Sequence, residues 1–569
     1  MLSTKIRTGR ILCLLLISAL VSVSFAACSG QGNSAGGKGG ETANAGSASA
    51  STDDYIVSVW DEPSTVDFQC TTLYYNTAYC VFDRLVRMES GHNDLAVIRP
   101  SLADSWEISD DGREYTFHLR EGVRFSNGSE LTSSDVLYTI TRLLTHPESS
   151  NRDIAECILG AEELENGKSG TASGSGTANT GTLKGFKIID DLDFTITLDE
   201  PYEAFLAALS MPGASILDEE TTEAAGDDFG KDAESTIGTG PFILKSWEKG
   251  KGMLFEANPE CWAGAPASAG LDVRFVQDSE EVRKLFDDGK LDIMDLSDID
   301  SASEYYIHGD IYKDRLYSAP QVGINYIALN ESKKPLDDVR VRKALQLALD
   351  RTMLLSSIYG GRGQVENGIY PHGLYGFDPD LEAIPYDIKE AASLLSQAGY
   401  ADGFELDFSV RTSSTRSEMD MVRMIADMWS EIGVKTNIHV LEDDEFMELR
   451  KKGELACYQA TWIADYNDPD NFVYTFFGNK ANTLDRSLCY TDEDVMKRVR
   501  RARTIQDPEK RIEEYRELER IIVQEDCAWV PLLSRTRYYV VSERLEGFHV
   551  AWTGRYFINY RDMSVSSTK

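Results

Sequence analysis

The residues of this chain best suited to chemistry stand in one stretch, Trp462-Ile463-Ala464-Asp465-Tyr466-Asn467-Asp468-Pro469-Asp470-Asn471-Phe472. Residues 455–463 are apolar and aromatic, a pattern that predicts a largely buried strand. Carboxylates and amides then gather around Pro469, so Asp465 falls where strand becomes loop. In open α/β sheets the crevice at such strand ends is where ligands bind. A carboxylate between Trp462 and Tyr466 is partly desolvated there, and calls for a cationic partner with several N–H donors. A primary ammonium meets that need. The same residues also suit an Asx-rich turn whose side chains satisfy their own backbone. A calcium loop is excluded, because Pro469 and Asp470 occupy the third-ligand and glycine positions of the EF-hand pattern.

The elements that must position Asp465 are legible around it. Helix 388–398, strand 404–410, helix 418–432, strand 434–441, helix 444–452 and strand 455–463 alternate, which predicts βα repetition and a mainly parallel sheet. The loop Arg411-Thr412-Ser413-Ser414-Thr415-Arg416 then opens on the same edge as Asp465, one loop carrying cations and the other anions. Residues 336–361 read as one amphipathic helix. Val341, Ala344, Leu345, Ala348 and Leu349 share its face, Asp337 or Asp338 caps it, and Gly360-Gly361 ends it. Earlier in the chain, Asp111-Gly112 marks a hairpin. Thr132-Ser133-Ser134-Asp135 is a capping box opening a helix over 136–144. Residues 166–182 are a Gly/Ser-rich insertion expected as an exposed loop.

With 569 residues, two or three domains are expected. Lys5, Arg7 and Arg10 precede an apolar run that ends Phe25-Ala26-Ala27-Cys28, the pattern of a signal peptide. Cys28 after two alanines resembles the lipobox of bacterial lipoproteins, which implies lipidation of Cys28. The Gly/Ser/Ala-rich run behind it reads as a flexible tether. A net charge of −37 opposes nucleic-acid binding and suits a self-repelling monomer. Cys70, Cys80, Cys157, Cys261, Cys457, Cys489 and Cys527 form no Cys-x-x-Cys pair and imply neither a disulfide framework nor a zinc site. The seven histidines are scattered and no nucleophile elbow is present, so neither a metal, a cofactor nor a catalytic centre is predicted. Paired carboxylates for glycoside hydrolysis remain open among so many acids.

The run Leu102-Ala103, Trp106, Ser109-Asp110-Asp111-Gly112, Tyr115-Thr116-Phe117-His118-Leu119-Arg120, Gly122-Val123, Asn127-Gly128 and Ser134-Asp135-Val136 resembles the signature region of the family 5 extracellular solute-binding proteins. So do Gly238-Thr239-Gly240-Pro241-Phe242, Asn258-Pro259-Glu260-Cys261-Trp262 and the lead-in Pro335 to Leu345. The resemblance implies an α/β, two-lobed periplasmic-binding-protein-like fold of type II with an extra inserted subdomain. Its expected layout is a signal peptide over 1–27, a lipidated tether over 28–52 and a first lobe from 53–95, 230–316 and 530–569. Residues 96–229 would be the inserted subdomain and 317–529 the second lobe, with crossings near 322–330 and 529–534. It also implies a lipid-anchored receptor outside the cytoplasm that captures di- or oligopeptides and serves the permease of an ABC importer. A nickel chelate, an oligosaccharide or another solute is the alternative ligand, and a tethered hydrolase the alternative class. By resemblance Asp465 receives the peptide α-amino group, with Trp462 and Tyr466 flanking it. Arg416 first, and Arg411 second, would hold the ligand carboxylate.

Overall fold

The strand Trp529–Val541, thirteen residues long, joins the two halves of the main sheet. Its first part pairs antiparallel with Gly323–Leu329, its second with Leu316–Pro320 and Ile293–Asp295. One twelve-stranded sheet therefore runs through it. In the computed structural model, residues 54–90, 96–166, 183–296, 303–555 and 557–566 are described. The leader, the tether with Cys28 and residues 167–182 of the Gly/Ser insertion lie outside them.

One half of the sheet holds Val434–Leu441, Phe404–Arg411, Cys457–Ile463 and Gly323–Leu329. Phe404–Arg411 is parallel to both Val434–Leu441 and Cys457–Ile463, as βα repetition requires. Gly323–Leu329 is antiparallel to its neighbours, so this half is mixed rather than parallel throughout. Pro531 sits in the central strand without an N–H to give, and the pairing slips there between Asn325 and Tyr326. Trp529 stacks on Tyr326 at 3.9 Å and meets Phe476 edge-on at 4.7 Å, which fills the core beneath that slip. The other half runs Ile293–Asp295, Tyr55–Val59, Gly270–Arg274, Gly252–Ala257 and Phe242–Glu248.

A separate four-stranded antiparallel sheet is made by Ala103–Ile108, Glu114–Leu119, Asp193–Thr197 and Phe186–Ile188. Tyr115, Phe117 and Leu119 bury one face of the hairpin that Gly112 turns at φ +69°. The capping box forms as read, with the Thr132 hydroxyl and the Asp135 carboxylate closing the start of Ser133–Thr145.

One helix expectation is corrected. The stretch read as a single helix over 336–361 is two helices, Val339–Leu347 and Arg351–Tyr359. Asp350 between them takes the Met353 N–H at 2.9 Å and caps the second, so the backbone breaks although the apolar stripe continues. Asp338 caps the first helix, and Gly360 ends the second in the left-handed conformation.

Among the described residues, the seven cysteines are free thiols, no helix is long and apolar enough to cross a membrane, and no cluster of potential metal ligands occurs.

Candidate functional site

Asp465 stands two residues past the end of Cys457–Ile463. The Ala464 N–H is still held by the Val322 carbonyl at 2.9 Å, so the strand end is fixed to the neighbouring strand's lead-in. The Asp465 N–H donates to Asn471 Oδ1 at 3.0 Å, and Asn471 Nδ2 donates back to Asp465 Oδ2 at 3.2 Å. Asn471 lies in the first turn of the helix Asp470–Phe477. Asp465, so held, lines a cavity of about 540 Å³. Its walls include Tyr75, Tyr79, Arg84, Trp262, Trp552 and Arg555. A second cavity, about 600 Å³, adjoins it and takes Trp60, Tyr74, Ile463, Arg535 and Arg537. Tyr75 and Arg555 line both, so together they form one cleft against the Asp465 strand end.

Burial pushes the Asp465 carboxyl up to about 6, against the lowering effects of the Asn471 hydrogen bond and the Arg555 and Arg486 guanidiniums. Burial likewise raises the Tyr75 hydroxyl, with Asp465 adding to it. The site is thus a desolvated carboxylate among aromatic rings, with a guanidinium across the cavity. Such a group gains most from a ligand that brings its own positive charge and hydrogen-bond donors.

The structure distributes the other sequence candidates differently. Tyr466 belongs to the hydrophobic cluster of the small sheet. Its hydroxyl donates to Asp470 Oδ2 at 3.2 Å and lies 3.2 Å from the hydroxyl of Tyr202, which also donates to Asp470, at 2.7 Å. Arg503 pairs with Asp470 at 3.1 Å and lies over the rings of Tyr202 and Tyr474. Tyr466 therefore fastens the small-sheet region to the helix behind Asp465, and it does not line the cavities. Trp462 packs edge-on against Phe476 at 5.2 Å and also stays out of them. Arg416 is the first residue of Arg416–Ser430, with its side chain 91% exposed and 3.8 Å from Asp420. It does not reach the cleft. Arg411, exposed at the end of Phe404–Arg411, lies within electrostatic reach of Tyr74 at the rim of the second cavity.

Sequence reasoning missed Tyr75, Trp552 and Arg555. The signal for the last two was the turn Trp552-Thr553-Gly554-Arg555, an aromatic and a cation around a glycine in a segment with no regular period. Nothing in its spacing showed that it returns to the cleft.

A sheet in two halves with a polar, aromatic-walled cleft at the strand ends is the architecture of the two-lobed binding proteins. Residues 97–483 match the bacterial extracellular solute-binding proteins, family 5, middle part, and the chain belongs to that family. Among its relatives, the heme-binding protein A of Haemophilus influenzae is 28% identical over 84% of this chain and 86% of its own length. The dipeptide-binding protein of Escherichia coli is 27% identical, covering 86% and 90%. An ABC-transporter-associated periplasmic binding protein from Helicobacter pylori, solved with the peptide STSA, superposes with a TM-score of 0.74. That alignment covers 90% of this chain and 98% of the other at 23% identity, and it shows the fold.

Proposed function

We propose that this chain is the receptor of an ABC importer, capturing di- or oligopeptides in its cleft and delivering them to membrane permease subunits without transforming them. The family and the relatives' ligands support the class. The observation that carries peptide capture is Asp465, a desolvated carboxylate facing the cavity from a strand end, where an α-ammonium would neutralise it. Closure of the two halves over the ligand would then present the form that the permease recognises.

The test compares a free-amine peptide with its N-acetylated form by calorimetry across pH. The folded Asp465 carboxyl sits above its ordinary value, so its contribution to stability in the empty cleft is lost as pH rises through about 6. An ammonium ligand needs the ionised form. Affinity for the free-amine peptide should be greatest between pH 6 and about 7.7, where the peptide's own ammonium begins to lose its proton, and fall by about tenfold per pH unit on either side of that window. The acetylated peptide should bind weakly throughout. Equal binding of the two forms, or an affinity unmoved across that range, counts against the reading.

We further propose that the chain is held at the outer face of a membrane by lipid on Cys28, on the strength of the apolar run and small residues before it. Cys28→Ser should release the protein into the soluble fraction. A variant that still sediments with membrane in high salt rules out anchoring there.

A further inference from the structure

Residues 548–555 reach from one half of the sheet to the other, a third link between them. Phe548 and Tyr560 belong to the core around Tyr55–Val59, whereas Trp552 between them is buried in the core that holds Val322, Tyr370 and Ala464. Between these anchors the backbone makes a tight turn. The Ala551 N–H donates to the Arg555 carbonyl at 2.7 Å, and the Gly554 N–H to the Ala551 carbonyl at 2.8 Å. The Tyr539 hydroxyl, on the long central strand, donates to the Gly554 carbonyl at 2.8 Å. Gly554 has φ +79°, and a Cβ there would lie 2.8 Å from the Pro320 carbonyl oxygen and 3.0 Å from Gln321 Cα. Only glycine permits that approach to the segment where the chain first crosses between halves. The turn is therefore fixed to both halves and to the crossing, and it delivers Arg555 into the cleft.

The charges around Arg555 point to an anion. The second cavity is lined by three guanidiniums, those of Arg535, Arg537 and Arg555, and by two carboxylates, Asp61 and Asp295. Arg537 pairs with Asp295, and Arg535 donates to the Gln321 side chain at 2.7 Å. The adjoining cavity adds Asp83, Glu89, Asp465 and Asp562 beside Arg84, Arg87 and Arg561, so the cleft as a whole balances its charges, with the surplus cation on the Arg555 side and the carboxylate on the Asp465 side, as a zwitterion requires. Burial, and then Arg537, hold the Arg555 guanidinium below its ordinary range, while Asp465 offsets part of that effect. A planar guanidinium on a rigid turn can take a carboxylate bidentately at small ordering cost.

We propose that Arg555 is the anion anchor of the cleft, taking the free carboxylate of a short zwitterionic peptide whose ammonium pairs with Asp465. This rests on the peptide reading above, and it moves the carboxylate anchor from the 411–416 loop to the 551–555 turn. Ligand binding replaces the mutual attraction of Asp465 and Arg555 with two charge-assisted contacts, and a peptide amide would forfeit one of them.

Calorimetry on the mature protein with Ser-Thr-Ser-Ala, its C-terminal amide and its N-acetyl form tests the assignment. Wild type should bind the acid on the order of a hundredfold more tightly than the amide. Arg555→Gln should erase that preference while keeping the penalty for N-acetylation, and Arg555→Lys should restore part of it. Circular dichroism checks folding. Should Arg555→Gln not fold, the acid-to-amide ratios of wild type and Arg555→Lys decide. Equal binding of acid and amide by wild type overturns the proposal, as does an unchanged preference in Arg555→Gln. Loss of the preference in Arg411→Gln instead also overturns it. Equal binding of the free and acetylated amines defeats the Asp465 reading separately, leaving the acid–amide comparison readable. Failure of wild type to bind any of the three forms counts against both.

Discussion

Asp465→Asn should weaken a free-amine peptide by about two to three and a half powers of ten. The asparagine keeps the size of the side chain and leaves an oxygen for the Asn471 amide, which now donates to Asp465 Oδ2 at 3.2 Å. What it removes is the charge. A ligand ammonium brought into this cavity would then be stranded among the rings of Tyr75, Tyr79 and Trp552 with the Arg555 guanidinium still nearby. Stranding one member of a buried pair costs roughly 3–5 kcal/mol. At about 1.4 kcal/mol per tenfold change, that is the loss stated. An N-acetylated peptide, which carries no ammonium, should bind wild type and variant with similar weakness. A variant that loses affinity equally for both peptides has a damaged cleft, and the charge argument fails.

The second large effect concerns the loop that follows Asp465. Arg511 donates to both oxygens of Asp468, at 2.8 and 2.7 Å, with side-chain exposures of 4% and 10%. Asp468 also takes the Asp470 N–H at 2.9 Å, and the neighbouring Asn467 side chain holds the Tyr375 N–H at 2.7 Å. The pair thus ties the helix Pro508–Arg520 to the turn carrying Asp465 and Asn471. Arg511→Met leaves the Asp468 carboxylate buried without its guanidinium, and should cost roughly 3–5 kcal/mol of unfolding free energy. Adding Asp468→Asn removes the stranded charge and keeps an acceptor for the Asp470 N–H, so the double variant should recover much of that loss. Urea unfolding of wild type, both singles and the double reads the coupling directly. A double variant no more stable than Arg511→Met would show that the stranded charge is not the cause.

Secondary structure near the site was largely legible, and the exception is instructive. Strands 404–410 and 434–441 and the capping box at Thr132 depend on residues within a turn or a pleat of each other, so period and cap chemistry suffice to find them. The break at Asp350 escaped, because an apolar stripe that runs on from Val341 to Leu349 carries no mark of the backbone leaving the helix beneath it. There a short side chain offered the next helix its cap and outcompeted continuation.

The amino-acid sequence by itself determined that a carboxylate would stand at the end of a buried strand, since strand, loop and Asp465 are consecutive residues. Only the tertiary structure decided which groups share that carboxylate's cleft. Tyr466 is next to Asp465 in the chain, yet it turns away to Tyr202 and Asp470, because a buried hydroxyl goes where its hydrogen-bond partners are. Arg416 follows the neighbouring strand and remains in solvent, 3.8 Å from Asp420 on its own helix and away from the cleft. Arg555 is ninety positions from Asp465 in the numbering and still faces it across the cavity, because Trp552 is buried in one half of the molecule and Tyr560 in the other. Contacts between such distant segments are set by how separately folded layers pack, and that packing leaves no period or spacing in the sequence to read.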